Sequence, residues 1–168
     1  KAGKHVLCEK PIGLNTADRD GVLPLLADAD RFVALPPFLD AASYGAAPAP
    51  ASGEGSGRGS SPHLITVAMM RPGDKLASYR VLGAALGQLL DLPWSLEVIG
   101  DGPARAEVTA ALAPLGDRVR QTGALDAAAV AGRLAGADCF VWPAINEAFG
   151  MALLEAQASG RAVVAGRS

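Results

Sequence analysis

The sequence predicts an α/β protein built on a doubly wound parallel sheet, and three observations predict it. Short, nearly continuous apolar runs, among them HLITVAMM (63–70), SLEVIG (95–100) and DCFVWP (138–143), read as strands covered on both faces. Segments with helical apolar spacing lie between them, so strand and helix patterns alternate. Turn-forming text (RPGDK, GDGP, the glycine of QTG) follows the strands at one end only. Alternation of this kind with buried strands implies helices on both faces of a parallel sheet.

Taken in order, the strand HLITVAMM is followed by a helical pattern from about Leu76 to Leu90, in which Tyr79, Leu82, Leu86 and Leu89 form one core-facing stripe. SLEVIG is the second strand, and Pro103 is placed to open the next helix. RVRQTG (118–123) is a short third strand and Leu125 to Ala135 a helix. DCFVWP is the fourth strand, Gly150 to Ser159 a helix, and RAVVAG (161–166) the fifth strand. Ligands of such sheets bind beyond the carboxyl ends of the strands. Here those ends are MMRPGDK, IGDGP, QTG and WPAINEAFG, where the unusual polar residues collect.

Upstream, GAAPAPASGEGSGRGSS (45–61) is too poor in large side chains to offset its ordering entropy and reads as a flexible linker or long surface loop. The expected organisation is residues 1–32 as the remnant of an N-terminal domain or an unrelated segment, 33–61 as an interdomain segment with the linker, and 62–168 as the α/β domain. A start at Lys1 and an end shortly after a strand read as a piece of a longer protein. The formal charge of −2 argues against nucleic-acid binding by bulk electrostatics. No apolar run reaches the roughly 18 residues a membrane span needs, and KAGKHVLCEK has charges where a signal peptide is apolar. Cys139 lies in an apolar run far from Cys8 and reads as a small hydrophobe. A soluble, reduced, cytoplasmic protein is expected.

Two carboxylates, Glu147 and Glu155, stand in the otherwise apolar and small-residue stretch NEAFGMALLEAQASGRAVV (146–164). Glu147 precedes a helix that opens at Phe149, Gly150 and Met151. A helix start leaves amide N–H groups unpaired and carries partial positive charge, and a glycine lets a phosphate approach closely. Glu147 would then face a neutral polar group such as a sugar hydroxyl, and Glu155 a vicinal diol such as a ribose. On spacing alone, a first-turn acid and a solvent-facing helix residue fit equally well. No Ser–His–Asp arrangement is present, and with only His5 and His63 available no metal site is expected.

The pattern EAFGMALLEAQASGRAVV resembles the group 1 (family 4) glycosyltransferase signature E-x-F-G-x-x-x-x-E-A-x-A-x-G-x-P-V-V. In the family's order, IGDGPARAEV (99–108), RVRQTGAL (118–125), ADCFVWPAINEAFG and VALPPFLD (33–40) resemble further segments, so the likeness covers roughly residues 33 to 168. The resemblance implies a retaining, nucleotide-sugar-dependent enzyme of the two-domain GT-B fold, with residues 62–168 as its Rossmann-like donor-binding domain. It places Glu147 on the donor sugar and Glu155 on the nucleotide ribose. The amides of Phe149, Gly150 and Met151 would meet the sugar and diphosphate, Arg71 and Lys75 the diphosphate, and the backbone of Arg118, Val119 and Arg120 the base. Ala162 stands where the family's proline is usual, and Ala144 where a serine is usual. The implied partners are a nucleoside-diphosphate sugar as substrate, an unknown acceptor and an N-terminal acceptor domain through which peripheral membrane association would run. No nucleic acid and no cofactor are implied, and the chain alone is expected not to turn over.

Residues 1–15, KAGKHVLCEKPIGLN, separately resemble the glucose–fructose oxidoreductase and inositol dehydrogenase group, with Lys10 near a nicotinamide. An NAD(P)-dependent sugar oxidoreductase fragment and a non-catalytic nucleotide-sugar binding module are the alternative readings. The stretch carries no G-x-G-x-x-G turn for a pyrophosphate.

Overall fold

A computed structural model describes Leu39, Tyr44 and residues 61–166 apart from Ala148, all within one compact unit, Leu39–Ser168. The expectations for residues 1–32, and nearly all of those for 33–61, fall outside the described residues.

Five strands and four α-helices alternate: β1 (His63–Val67), α1 (Asp74–Gly87), β2 (Ser95–Ile99), α2 (Arg105–Leu112), β3 (Val119–Gly123), α3 (Ala127–Ala135), β4 (Cys139–Trp142), α4 (Met151–Ala158) and β5 (Ala162–Ala165). A 3-10 segment, Ala113–Arg118, joins α2 to β3. All pairings are parallel and the strand order is β3-β2-β1-β4-β5. The fold is therefore the expected Rossmann-like α/β sheet. Central β1 pairs Leu64 with Leu96 on one side and Cys139 on the other. The chain steps outward from β1 to β3, then returns across β1 to lay down β4. This reversal leaves a crevice between the carboxyl ends of β1 and β4, the position where such sheets bind ligands.

The core forms from the inward residues of the central strands and the helices over them. Ile65, Leu96, Val98, Ile99 and Phe140 are buried in the strands, and α1 adds Leu76, Tyr79, Leu82 and Leu86 to the same core. Leu89 does not continue that stripe. The helix stops at Gly87, and Leu89 lies in the following turn, 42% exposed. β1 is likewise shorter than the apolar run that predicts it, because Ala68 to Met70 leave the sheet to meet the β2–α2 turn. Ala68 N–H bonds the Ile99 carbonyl (3.0 Å), Met70 N–H the Asp101 carbonyl (2.9 Å) and Ala104 N–H the Met70 carbonyl (2.9 Å). Gly100 makes this crossing feasible: with φ of 148°, a Cβ there would lie 1.9 Å from the Ala68 oxygen. The GDG turn thus serves the scaffold, and Asp101 completes it by accepting from Gly102 N–H (2.7 Å) and Arg105 (2.9 Å).

β5 is an edge strand, with Val164 61% exposed. Among the described residues one acid is fully interior: Glu97 on β2, 2% exposed, lies 3.6 Å from both His63 Nε2 and Arg133 Nη1. Among the described residues no helix is long and apolar enough to cross a membrane.

Candidate functional site

The crevice has two walls. One is the first turn of α1, which begins after a left-handed Gly73 (φ 81°) without a side-chain cap. The other is the loop from Pro143 to Gly150 that joins β4 to α4. Three contacts tie them together. Ser78, on the buried side of α1, accepts from Ile145 N–H at 3.1 Å. Asn146 donates to Asp74 at 3.3 Å. Between these, Lys75 donates to Glu147 Oε2 as an ion pair, with the two side chains 20% and 21% exposed.

Trp142, the last residue of β4, adds a third member. Its indole N–H donates to the same Oε2 at 3.2 Å, and the Lys75 ammonium lies 5.5 Å from its ring centroid. Burial pushes the Glu147 carboxyl up, but hydrogen bonds from Lys75 and Trp142, the Lys75 charge and the Gly150 amide together outweigh it and hold the group below its ordinary value of 4.5. Glu147 is ionised at neutral pH, and the pair lies in a half-buried place, where charges are screened less than on the open surface.

The loop that carries Glu147 is strained. Ala144 (φ 58°) and Asn146 (φ 48°) both adopt the left-handed region. For alanine this costs about 1–2 kcal/mol, and such outliers persist where surrounding bonds over-determine them. The Ser78 bond to Ile145 and the Asn146 bond to Asp74 do this here. Gly150 ends the loop at φ 61° as the residue capping α4. Glycine takes this conformation without strain, and a Cβ at Gly150 would sit 2.8 Å from Leu153 Cδ1, which would have to shift. No side chain caps α4; the Gly150 amide helps hold Glu147 and the Leu153 amide donates to the Gly150 carbonyl at 2.8 Å, so the amides between them are the ones placed to meet an anion. Phe149 and Met151 flank this helix start and are exposed.

Glu155, one turn further along α4, is partly buried and accepts a hydrogen bond from the Tyr44 hydroxyl. Burial, then the Glu155 charge and that bond, push the hydroxyl's pKa up. Arg71 is exposed at the mouth of the crevice. The structure thus gathers Arg71, Lys75, Glu147, Phe149, Gly150, Met151 and Glu155 around the carboxyl edge.

It does not bring Arg118 there. Arg118 closes the 3-10 segment at the amino end of β3, and its guanidinium donates to the carbonyls of Leu90 (2.8 Å) and Leu92 and stacks 5.0 Å from the Trp94 ring centroid. Val119 and Arg120 begin the same strand, Arg120 opposite Glu97. The carboxyl end of β3 is instead Gln121 to Gly123. Sequence reasoning missed Trp142, Ser78, Asn146 and Tyr44. Only Trp142 carried a usable signal, an indole with a donor at the end of an otherwise aliphatic and aromatic strand.

Among the described residues no group of three or more His, Cys, Asp or Glu side chains could hold a metal ion.

A parallel sheet of this order, with an acid and a base meeting across its switch point beside an uncapped helix, has its polar groups where open α/β sheets take their ligands. Residues 61–168 match the family model for group 1 glycosyl transferases, and the chain belongs to that family. Solved structures with the same fold include a point mutant of S. aureus TarM in complex with Fondaparinux, alpha-GlcNAc-glycerol and UDP (16% identity, TM-score 0.57, 94% of this chain and 29% of that chain). Sucrose-phosphate synthase from Thermosynechococcus elongatus is 26% identical (TM-score 0.51, 62% of this chain and 27% of that one). A glycosyltransferase from Rickettsia africae ESF-5 is 20% identical (TM-score 0.54, 64% and 29%). The chain spans from 20% to 31% of the lengths of such structures. No match was found among curated proteins.

Proposed function

We propose that this chain is the donor-binding half of a retaining glycosyltransferase of the GT-B type, taking a nucleoside-diphosphate sugar as substrate. The observation that carries the reading is the Lys75–Glu147 pair across the switch-point crevice beside the uncapped start of α4. A diphosphate needs cations and free amides. A sugar needs an ionised acceptor for its hydroxyls. This edge of the sheet supplies both within one loop and one helical turn. The UDP in the TarM complex is in keeping with such a ligand.

On this reading Lys75 and Arg71 meet the diphosphate, and each charge-assisted contact contributes about 1.5–3 kcal/mol. Their larger task is to stabilise the charge that grows on the leaving diphosphate as the acceptor attacks from the same face. The amides of Phe149, Gly150 and Met151 add fixed dipoles where that charge develops. Glu147 holds the sugar hydroxyls, and Glu155 accepts from the ribose diol at the place where Tyr44 donates now. Residues 62–168 form the donor domain, 33–61 the link to an acceptor domain, and the protein works in the cytoplasm without a bound cofactor.

The test is calorimetric titration of the chain with UDP, GDP, ADP and NAD(H), repeated in Glu155→Ala. Saturable binding of one nucleoside diphosphate, weakened roughly tenfold in the variant, is the expected result. Binding of NAD(H) alone would sink the reading.

A further inference from the structure

The family signature and the reading above leave out Trp142, although it touches both charged residues of the site. We propose that Trp142 is a positioning residue for Glu147: its indole N–H keeps the carboxylate aimed into the crevice when Lys75 leaves it for a diphosphate, so that the site favours an intact sugar nucleotide over the free nucleoside diphosphate. The inference rests on the donor-binding reading.

The geometry has three parts. The indole is rigid. Trp142 is 3% exposed, its ring meets Tyr79 edge-on at 5.0 Å and 73°, and Tyr79 is itself fixed by donating to the Ala68 carbonyl at 2.8 Å. The hydrogen bond joins the same oxygen that Lys75 uses, so Glu147 Oε2 has one movable donor and one immovable donor. Finally, Lys75 is tied to an acid that the reading gives to the sugar, while the ligand's diphosphate competes for that same ammonium.

These parts make the two ligands unequal. A nucleoside diphosphate draws Lys75 away and leaves an anionic Glu147 next to an anionic ligand, with no donor in the ammonium's place. A sugar nucleotide draws Lys75 away and brings hydroxyls that donate to the vacated oxygen. The second exchange restores every hydrogen bond and the first does not, and an unmatched half-buried charge is costly. The discrimination works only if the carboxylate stays where the hydroxyls arrive. With the indole N–H removed, only the Gly150 amide at the loop's end still holds Glu147, so the carboxylate can swing after Lys75 and the sugar loses its preplaced acceptor. After transfer, the same inequality favours departure of the nucleoside diphosphate.

Trp142→Phe keeps an aromatic ring for Tyr79 and Lys75 and deletes the donor. Titrating wild type and variant with UDP, GDP and ADP and with UDP-glucose, GDP-mannose and ADP-glucose gives the ratio of affinities for each matched pair. The expected result is a loss of about tenfold in the sugar nucleotide with the nucleoside diphosphate held within about twofold, so the ratio collapses. Equal weakening of both ligands, or no change in either, overturns the proposal, because a packing role alone would not move the ratio. The indole 1H–15N resonance of Trp142, assigned by its absence in the variant, adds a readout that needs no ligand. It should shift with pH as Glu147 titrates and stay flat in Glu147→Gln. A flat resonance in the wild type, with nucleotides still binding, overturns the positioning role and leaves the donor reading intact. If no nucleotide binds the wild type, the donor reading and the discrimination both fall, and a titrating indole still reports the contact itself.

Discussion

The protein's two tryptophans stand at opposite edges of one sheet, each with a cation over its ring, and the two arrangements serve different ends. At the amino edge, Trp94 donates to the Leu89 carbonyl at 2.7 Å, and Arg118 both stacks on it and donates to the carbonyls of Leu90 and Leu92. Every acceptor there is main chain from one turn, the one that joins α1 to β2. At the carboxyl edge, Trp142 and Lys75 both donate to a side-chain carboxylate, Glu147. Main-chain carbonyls cannot leave without unfolding the turn they belong to. A carboxylate can release one donor and accept another. A cation bonded to its own backbone therefore closes the fold, whereas one paired with an acid across a crevice can be exchanged for a ligand.

The largest effect that tests this contrast is Lys75→Met. Affinity for the donor nucleotide should fall roughly 10- to 100-fold, while stability in urea falls by about 1–3 kcal/mol, because Glu147 is left half-buried without its counter-charge. Arg118→Ala should spare the affinity. Losing two hydrogen bonds to carbonyls and the stack on Trp94 should lower stability by about 2 kcal/mol, with nucleotide affinity unchanged within about twofold in the folded protein. A matching drop in affinity would place Arg118 at the base and break the comparison.

How much of this was legible in the sequence depends on whether the signal is local. The sheet was legible, because the apolar runs at β1, β2 and β4 and the helical stripe of Tyr79, Leu82 and Leu86 are patterns within a few residues. So was the gathering of Glu147, Gly150 and Lys75 at one edge, since a parallel sheet sends all strand ends the same way. Leu89 was misplaced because periodicity does not show where a helix stops; Gly87 ends it two residues earlier. Arg118 looked like a site residue because the family likeness covers its stretch, but a residue at the start of a strand lies a strand's length from the carboxyl edge. Trp142 to Glu147 is a contact of five residues and Ser78 to Ile145 one of 67. Neither follows from spacing, because both depend on the left-handed Ala144 and Asn146; asparagine tolerates that region, but nothing announces it at an alanine.

A smaller effect separates the two cations proposed for the diphosphate. Arg71 is exposed, so its charge is screened and adds little to folding. Arg71→Ala should leave stability within about 0.5 kcal/mol and weaken nucleotide binding only about fivefold, less at high salt. Titrations at two ionic strengths check this. A loss as large as that of Lys75→Met would show that the half-buried position of Lys75 confers no advantage.

The smallest effect is in acid, and it reads the contrast without any ligand. Glu147 is held below its ordinary value of 4.5 in the folded protein. A group depressed on folding contributes stability that is fully present above its unfolded value and is lost as the pH falls through the folded one. Wild type should therefore melt above Glu147→Gln at neutral pH, and the gap should close as the pH drops from about 4.5 through the lower folded value, beneath which both side chains are neutral. Melting curves from pH 7 downward measure it. The charge facing Glu147 is that of Lys75, and Asp74 on the same helix, which accepts from Asn146, is present in both proteins. The stability difference between wild type and Arg118→Ala should stay constant over the same range, since carbonyl acceptors do not titrate. If that difference also narrowed in acid, the Arg118 clamp would depend on an ionisable group, and the distinction between the two tryptophan edges would fail.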